Sequence, residues 1–178
     1  MPSVSRRRHF LVIRYDFKAS FDSYLAAYPN APVHSLAEVM AGNKYHPAVR
    51  PRLLLSQAIE SRDTKEYFEA IAKRNILRQA ILKAMADNNL DAVAYPSVRR
   101  KASPLGEEQV DAVNCKPAAN SGLPAIVVPA GFTPDGLPVG VELLGRMWSE
   151  SQLIKLAYSY EQATHHRRPP ASTPALNH

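Results

Sequence analysis

Four consecutive residues, Ala125-Ile126-Val127-Val128, constrain this chain more than any others. They form an unbroken apolar run, mostly β-branched, fenced by Pro124 and Pro129. Such a run reads as a short strand buried on both faces, because a strand with one wet face alternates apolar and polar side chains. A second strand is expected at 139–144, reached through a turn that contains Asp135-Gly136. A third, at 92–95, is stopped by Pro96. Three short strands do not close a sheet, and strands buried on both faces need covering layers and edge partners. The sequence reads as part of a larger α/β sheet.

Helices are expected around it. Phe17, Phe21, Tyr24, Leu25 and Tyr28 recur at helical spacing over 16–28, and Pro29 ends that segment. A short helix over 36–41 has Ser35 as its N-cap and Gly42 as its stop. Pro47 and Pro51 mark a loop, followed by a short apolar segment at 53–59. The strongest helix runs over about 64–88, opened by an Asp63/Glu66 capping box and ended at Asn88-Asn89. Its apolar stripe is Phe68, Ala72, Ile76, Ala80 and Met85, flanked by Ile71, Leu77, Ile81 and Ala84. A last helix opens on a Ser149/Gln152 capping box and carries Leu153, Leu156, Ala157 and Tyr160. His165, His166, Arg167 and Arg168 are placed in its final turn, before Pro169-Pro170.

Composition excludes several classes. A 46% hydrophobic, 21% charged chain of 178 residues can bury a core and is not disordered throughout. The single Cys115 rules out an internal disulfide framework and a cysteine-rich zinc module. No apolar run reaches the roughly 20 residues of a membrane span. Arg6-Arg7-Arg8 precede only a short apolar stretch with no small-residue cleavage site, so a secretory signal is not expected and a cytoplasmic location is. The net charge of +6 is uneven: residues 101–150 hold three Lys/Arg against six acids. Without a recognition motif beside the basic charge, nucleic acid is not an expected partner.

No complete active site emerges from residue patterns. Cys115 with His165 or His166 forms a thiol–base pair only if the fold joins them, and the sequence context of cysteine hydrolases is absent. Adjacent histidines diverge on a helix, so they make a poor metal pair, and neither a metal nor a cofactor is expected. Glu107, Glu108 and Asp111 cluster without an answering acid. None of the serines lies in a Gly-x-Ser-x-Gly elbow.

The second half carries a longer pattern. Asn120-Ser121-Gly122-Leu123-Pro124-Ala125-Ile126-Val127-Val128-Pro129-Ala130-Gly131-Phe132 is followed by Asp135-Gly136-Leu137-Pro138-Val139-Gly140-Val141-Glu142-Leu143-Leu144-Gly145-Arg146. Then come Trp148, Ser149, Glu150, Leu153, Leu156, Ala157 and Tyr160-Glu161-Gln162-Ala163-Thr164. This order resembles the C-terminal region of the amidase signature family. Tyr15-Asp16-Phe17-Lys18 with Tyr24-Leu25, and Asp91-Ala92-Val93-Ala94-Tyr95-Pro96, resemble the helix and the penultimate strand of the same region. The likeness spans residues 11–170, leaving 1–10 as a variable extension and 171–178 as a disordered tail.

The resemblance implies an α/β fold, the C-terminal part of the amidase signature fold: a mixed sheet covered by helices, incomplete in this chain. It implies hydrolysis of a carboxamide C–N bond through a serine, a second serine with a cis peptide bond, and a lysine. In the family those residues lie upstream on a Gly/Ser-rich segment. This sequence has no Gly-Gly, no Ser-Ser and no such segment, so no catalytic residue carries over. What the resemblance assigns here is a wall of the acyl pocket, with Cys115 and Asn120 as substrate-binding residues. Relatives that use glutamine place an acid and a threonine in this approach. Here Asp111 is off the matching offset and Cys115 stands in the threonine's place, which argues against a glutamine-dependent amidotransferase. Gly140 and Gly145 are expected to leave room for the adjoining helix. The expected partner is a small-molecule amide once an N-terminal half completes the enzyme, with self-association through the exposed sheet edge as the other mode. The rival reading is a non-catalytic interaction module that keeps the fold, and a basic nucleic-acid binder comes third.

Overall fold

The computed structural model describes residues 11–107, 114 and 116–170. The expected N-terminal extension and C-terminal tail, together with Glu108, Asp111 and Cys115, lie outside the described residues. The chain divides into two compact units, Met1–Lys73 and Arg74–His178.

The first unit is helical. Helix α1 spans Leu11–Ala26, starting five residues earlier than expected because nothing in 11–15 interrupts the helical run. Tyr15 and Leu25 are its buried residues, and Phe17 stacks on Phe21. Helix α2, Leu36–Gly42, is capped as expected, with Ser35 Oγ accepting from the Glu38 N–H at 3.2 Å. Its left-handed terminal residue is Asn43 (φ 48°) and not Gly42, which remains helical. The Pro47/Pro51 stretch is no loop. A 3-10 turn at Pro47–Val49 leads into α3, Arg50–Gln57, with each proline in a first turn where its missing N–H costs nothing.

Helix α4, Lys65–Asp87, begins in this unit and continues into the second. Its cap is Thr64, whose hydroxyl accepts from the Tyr67 N–H at 3.2 Å, so the expected Asp63/Glu66 box is displaced by one residue. Tyr67 donates its hydroxyl to Asp16 at 2.8 Å, and Arg62 approaches the same carboxylate oxygen at 3.4 Å. Accepting that proton bond, Asp16 raises the Tyr67 pKa above the ordinary phenol value, and burial adds to the rise.

The second unit holds the sheet. Strands β1 (Val93–Pro96), β2 (Ala125–Phe132) and β3 (Pro138–Leu144) run in the order β1-β3-β2, and both pairings are antiparallel. Pro129 does not end β2. The strand continues through an irregularity between Pro129 and Gly131, where Gly131 takes φ 113°. The turn forms as expected around Gly136 (φ 83°), with Thr133 N–H bonded to the Leu137 carbonyl at 2.8 Å. A short helix α5, Lys116–Ser121, leads into β2, and α6, Glu150–Thr164, packs along β2 and β3.

Two expectations about burial are corrected. In β2, Ala125, Val127 and Pro129 are exposed while Val128 is buried, so one face of this strand is open, with Val127 55% exposed. The unbroken apolar run marked both faces as apolar, yet only one is covered here. In α4, the expected core stripe Phe68, Ala72, Ile76 and Ala80 faces solvent, and Phe68 and Ile76 are 58% and 67% exposed. The flanking residues Ile71, Leu77 and Ile81 are half-buried instead, and Met85 is fully buried.

Candidate functional site: the approach to strand β2

The candidate site is built on α5 and the turn that follows it. Six helical residues cannot hold themselves in place, since helix nucleation is costly. Two arginines of α4 hold them instead. Arg78 Nε donates to the Ser121 carbonyl at 2.6 Å, and Arg74 Nη2 to the Ala119 carbonyl at 3.1 Å. These carbonyls end the short helix, where a cation meets both the unsatisfied acceptors and the negative end of the dipole. Both arginines are half-buried and structural.

Ser121 has no exposed surface. Its hydroxyl accepts from the Leu123 N–H at 3.2 Å, turning the chain toward the strand. Gly122 follows at φ 71°, with the Arg78 guanidinium 3.4 Å from where a Cβ would stand. A side chain there meets both an unfavourable backbone and the clamp itself. Leu123 is buried, and the Pro124 carbonyl accepts from the Gly145 N–H at 2.9 Å, tying the approach to the end of β3. Replacing Arg78 by Met removes a charged hydrogen bond worth about 1.5–3 kcal/mol. The melting temperature is expected to fall accordingly, and helical dichroism to fall only by the contribution of α5.

Asn120 lies on this helix, half-buried, and its Nδ2 donates to the Lys116 carbonyl at 2.8 Å. Cys115, the other expected pocket residue, precedes α5 and lies outside the described residues. His165 does not sit in the last turn of α6: it is the left-handed cap (φ 48°), and the remaining basic residues follow the helix. His166 leans on Tyr160, with ring centroids 6.2 Å apart, and Arg168 stacks over Phe132 at 3.8 Å. These contacts give His166 and Arg168 packing roles, one against α6 and the other against the β2–β3 hairpin.

Beside this approach the sheet carries a polar pair that sequence reasoning missed. Glu142 on β3 is buried and accepts the Tyr95 hydroxyl at 2.7 Å. Ser97 Oγ, just past β1, is buried with no hydrogen-bond partner among the described residues. Gly140 opposite leaves it room, since a Cβ at Gly140 would stand 3.2 Å from that hydroxyl and 2.9 Å from Val127. Gly140 thus accommodates side chains of the sheet, whereas Gly145 accommodates α6 as expected, with Leu153 3.0 Å from its Cβ position. Glu142 shares a sheet face with its register partners Val127 and Tyr95, so the alternation of Val141, Glu142 and Leu143 places it on the open face, and nothing in that pattern signals its burial there.

At the hairpin end, a groove of about 410 Å³ is lined by Val98, Arg99, Arg100, Lys101, Ala102, Thr133, Pro138 and Val139. Lys101 Nζ meets Asp135 at 2.5 Å, and Thr133 donates to the same carboxylate at 2.6 Å. Lys101 first and Thr133 second lower the Asp135 pKa to about 2. A depressed carboxylate stabilises the fold above its unfolded pKa of about 3.9, and that gain is lost as pH falls through about 2. The melting-temperature gap between the parent and Asp135→Asn is expected to be open at pH 7 and to close between about pH 4 and about pH 2.

Among the described residues, no group of three or more His, Cys, Asp or Glu is placed to hold a metal ion. No described helix is long and apolar enough to cross a membrane.

Known structures share this arrangement of helices and hairpin. The chain superposes on peptide amidase from Stenotrophomonas maltophilia with a TM-score of 0.77 and 34% identity, over 92% of this chain and 34% of that one. It superposes on an amidase family protein from Bacillus anthracis with a TM-score of 0.70 and 27% identity, over 88% of this chain and 30% of that one. Among curated sequences it is 32% identical over 162 residues to a probable amidase from Arabidopsis thaliana, covering 87% of this chain and 29% of the relative. The fold is a partial α/β amidase fold. A family model described as Amidase matches residues 3–154, and the chain belongs to the amidase signature family. It spans about a third of the length of the relatives it matches.

Proposed function

We propose that this chain is the substrate-pocket segment of an amidase and acts in amide hydrolysis only when joined by a segment carrying the serines and lysine. The observation that carries this reading is the open apolar surface: the outer face of β2 around Val127 and the α4 ridge of Phe68, Ala72, Ile76 and Ala80. In a partial fold covering a third of its relatives, such surfaces are where the remaining layers belong. The nucleophile, the second serine and the lysine come from the joining segment, and the α5 approach supplies a pocket wall through Cys115 and Asn120.

The test is co-expression with the part of the Stenotrophomonas peptide amidase that this chain does not match. Phosphonate-sensitive hydrolysis of a carboxamide in the mixture, absent from either part alone, is the expected result. Co-purification without hydrolysis favours the non-catalytic interaction module. Failure to associate removes the proposal. In the active mixture, Asn120→Ala is expected to raise KM several-fold with kcat nearly unchanged, the mark of lost uniform binding. Cys115→Ala is expected to leave kcat intact, which excludes a thiol nucleophile.

A further inference from the structure

The turn between β3 and α6 holds the chain's single tryptophan out from the surface. Trp148 is 84% exposed and takes φ 61°, a left-handed conformation that a bulky side chain rarely adopts. The turn around it is tightly fixed. Arg146 Nη2 donates to the Leu90 carbonyl at 3.1 Å, and Ser149 Oγ donates to the Arg146 carbonyl at 2.8 Å. Gln152 Nε2 reaches Asp91 at 2.9 Å, and Gly145 has no room for a side chain against Ser149 and Leu153. The expected Ser149/Gln152 capping box is not made, because both side chains serve these tethers. A strained residue persists only where its surroundings over-determine it, and here they press a large aromatic ring outward. Met147 beside it is also exposed.

We infer that Trp148 is the aromatic anchor by which this chain binds the complementary segment of the amidase fold. The inference rests on the reading proposed above and names a residue within it. The occupant follows from coverage: Trp148 lies inside the stretch matched to the amidase family, yet two thirds of the relatives' length is outside this chain. A rigid aromatic ring held out at a fixed point loses little entropy on docking, and buried tryptophans dominate interface energies. Trp148→Gly suits the left-handed backbone, so the isolated chain keeps or raises its melting temperature while docking is lost. A structural role predicts the opposite.

The experiment uses the full chain and the unmatched part of the peptide amidase, with every tryptophan of the latter changed to phenylalanine. Trp148 is then the sole reporter. Association is expected to shift its emission to the blue and cut acrylamide quenching several-fold. Trp148→Gly should weaken association about 30-fold or more, and Trp148→Phe should retain most of it. Association with Trp148 still quenched as in the free chain overturns the inference and leaves the proposed function standing. A lower melting temperature in Trp148→Gly with unchanged association also overturns it. A blue shift that grows with the concentration of the chain alone identifies a second copy as the occupant and overturns it likewise. No association at all overturns both readings.

Discussion

Purified by itself, this chain is expected to hydrolyse a simple aryl amide no faster than buffer. Enzymes of ordinary competence accelerate their reactions by about 10⁶-fold or more, and that factor rests on a positioned nucleophile, a proton relay and an oxyanion site acting together. Several of the serines placed by the structure serve the backbone instead. Ser35 caps α2, Ser121 turns the chain into β2, and Ser149 ties the turn before α6. Ser97 Oγ is buried without a partner among the described residues, so none of them stands as a base within hydrogen-bonding reach to activate it. The thiol route lacks support as well, since His165 caps a helix and His166 leans on Tyr160. Turnover by the isolated chain that a serine-directed phosphonate abolishes would sink this expectation.

The hairpin was legible because local rules settle it. Pro124 and Asp135-Gly136 bound a β-branched run, and the structure follows with the register Val127 opposite Glu142. The caps were less legible. Asp63, Thr64 and Glu66 all suit a helix start, and only the geometry of the preceding turn decides that Thr64 takes the cap. Ser149 and Gln152 match a capping box in type and spacing, but tethers to Arg146 and Asp91 compete for the same side chains. The roles of Arg74 and Arg78 were not legible, because periodicity cannot see a carbonyl more than 40 residues away in sequence. The α4 stripe shows the same limit from the other side. A wide apolar arc tells which residues seek cover, not which of them this chain covers. Ile71, Leu77 and Ile81 find partial cover within these residues, while Phe68 and Ile76 do not.

That uncovered surface carries the second large effect: at micromolar concentration the isolated chain is expected to self-associate and to bind an apolar dye. Full burial of one large aliphatic or aromatic side chain contributes about 1.5–3 kcal/mol. Val127, Phe68 and Ile76 each forgo more than half of theirs, against a total margin of about 5–15 kcal/mol for a domain. The loss weakens the fold and simultaneously gives a second copy something to cover. β2 adds an unpaired strand edge, since among the described strands it pairs with β3 alone. Val127→Thr keeps the β-branched shape that packs over Gly140, and Ile76→Gln keeps helix propensity on α4. Together they are expected to lower dye binding and shift sedimentation toward monomer while costing no more than about 1 kcal/mol of stability. The same pair should weaken association with the complementary amidase segment, because both contacts are then served by the same apolar surface. A parent chain that sediments as a monomer, melts in one sharp transition and leaves the dye dark would mean that these faces need no cover, and the docking surface would lose its physical basis.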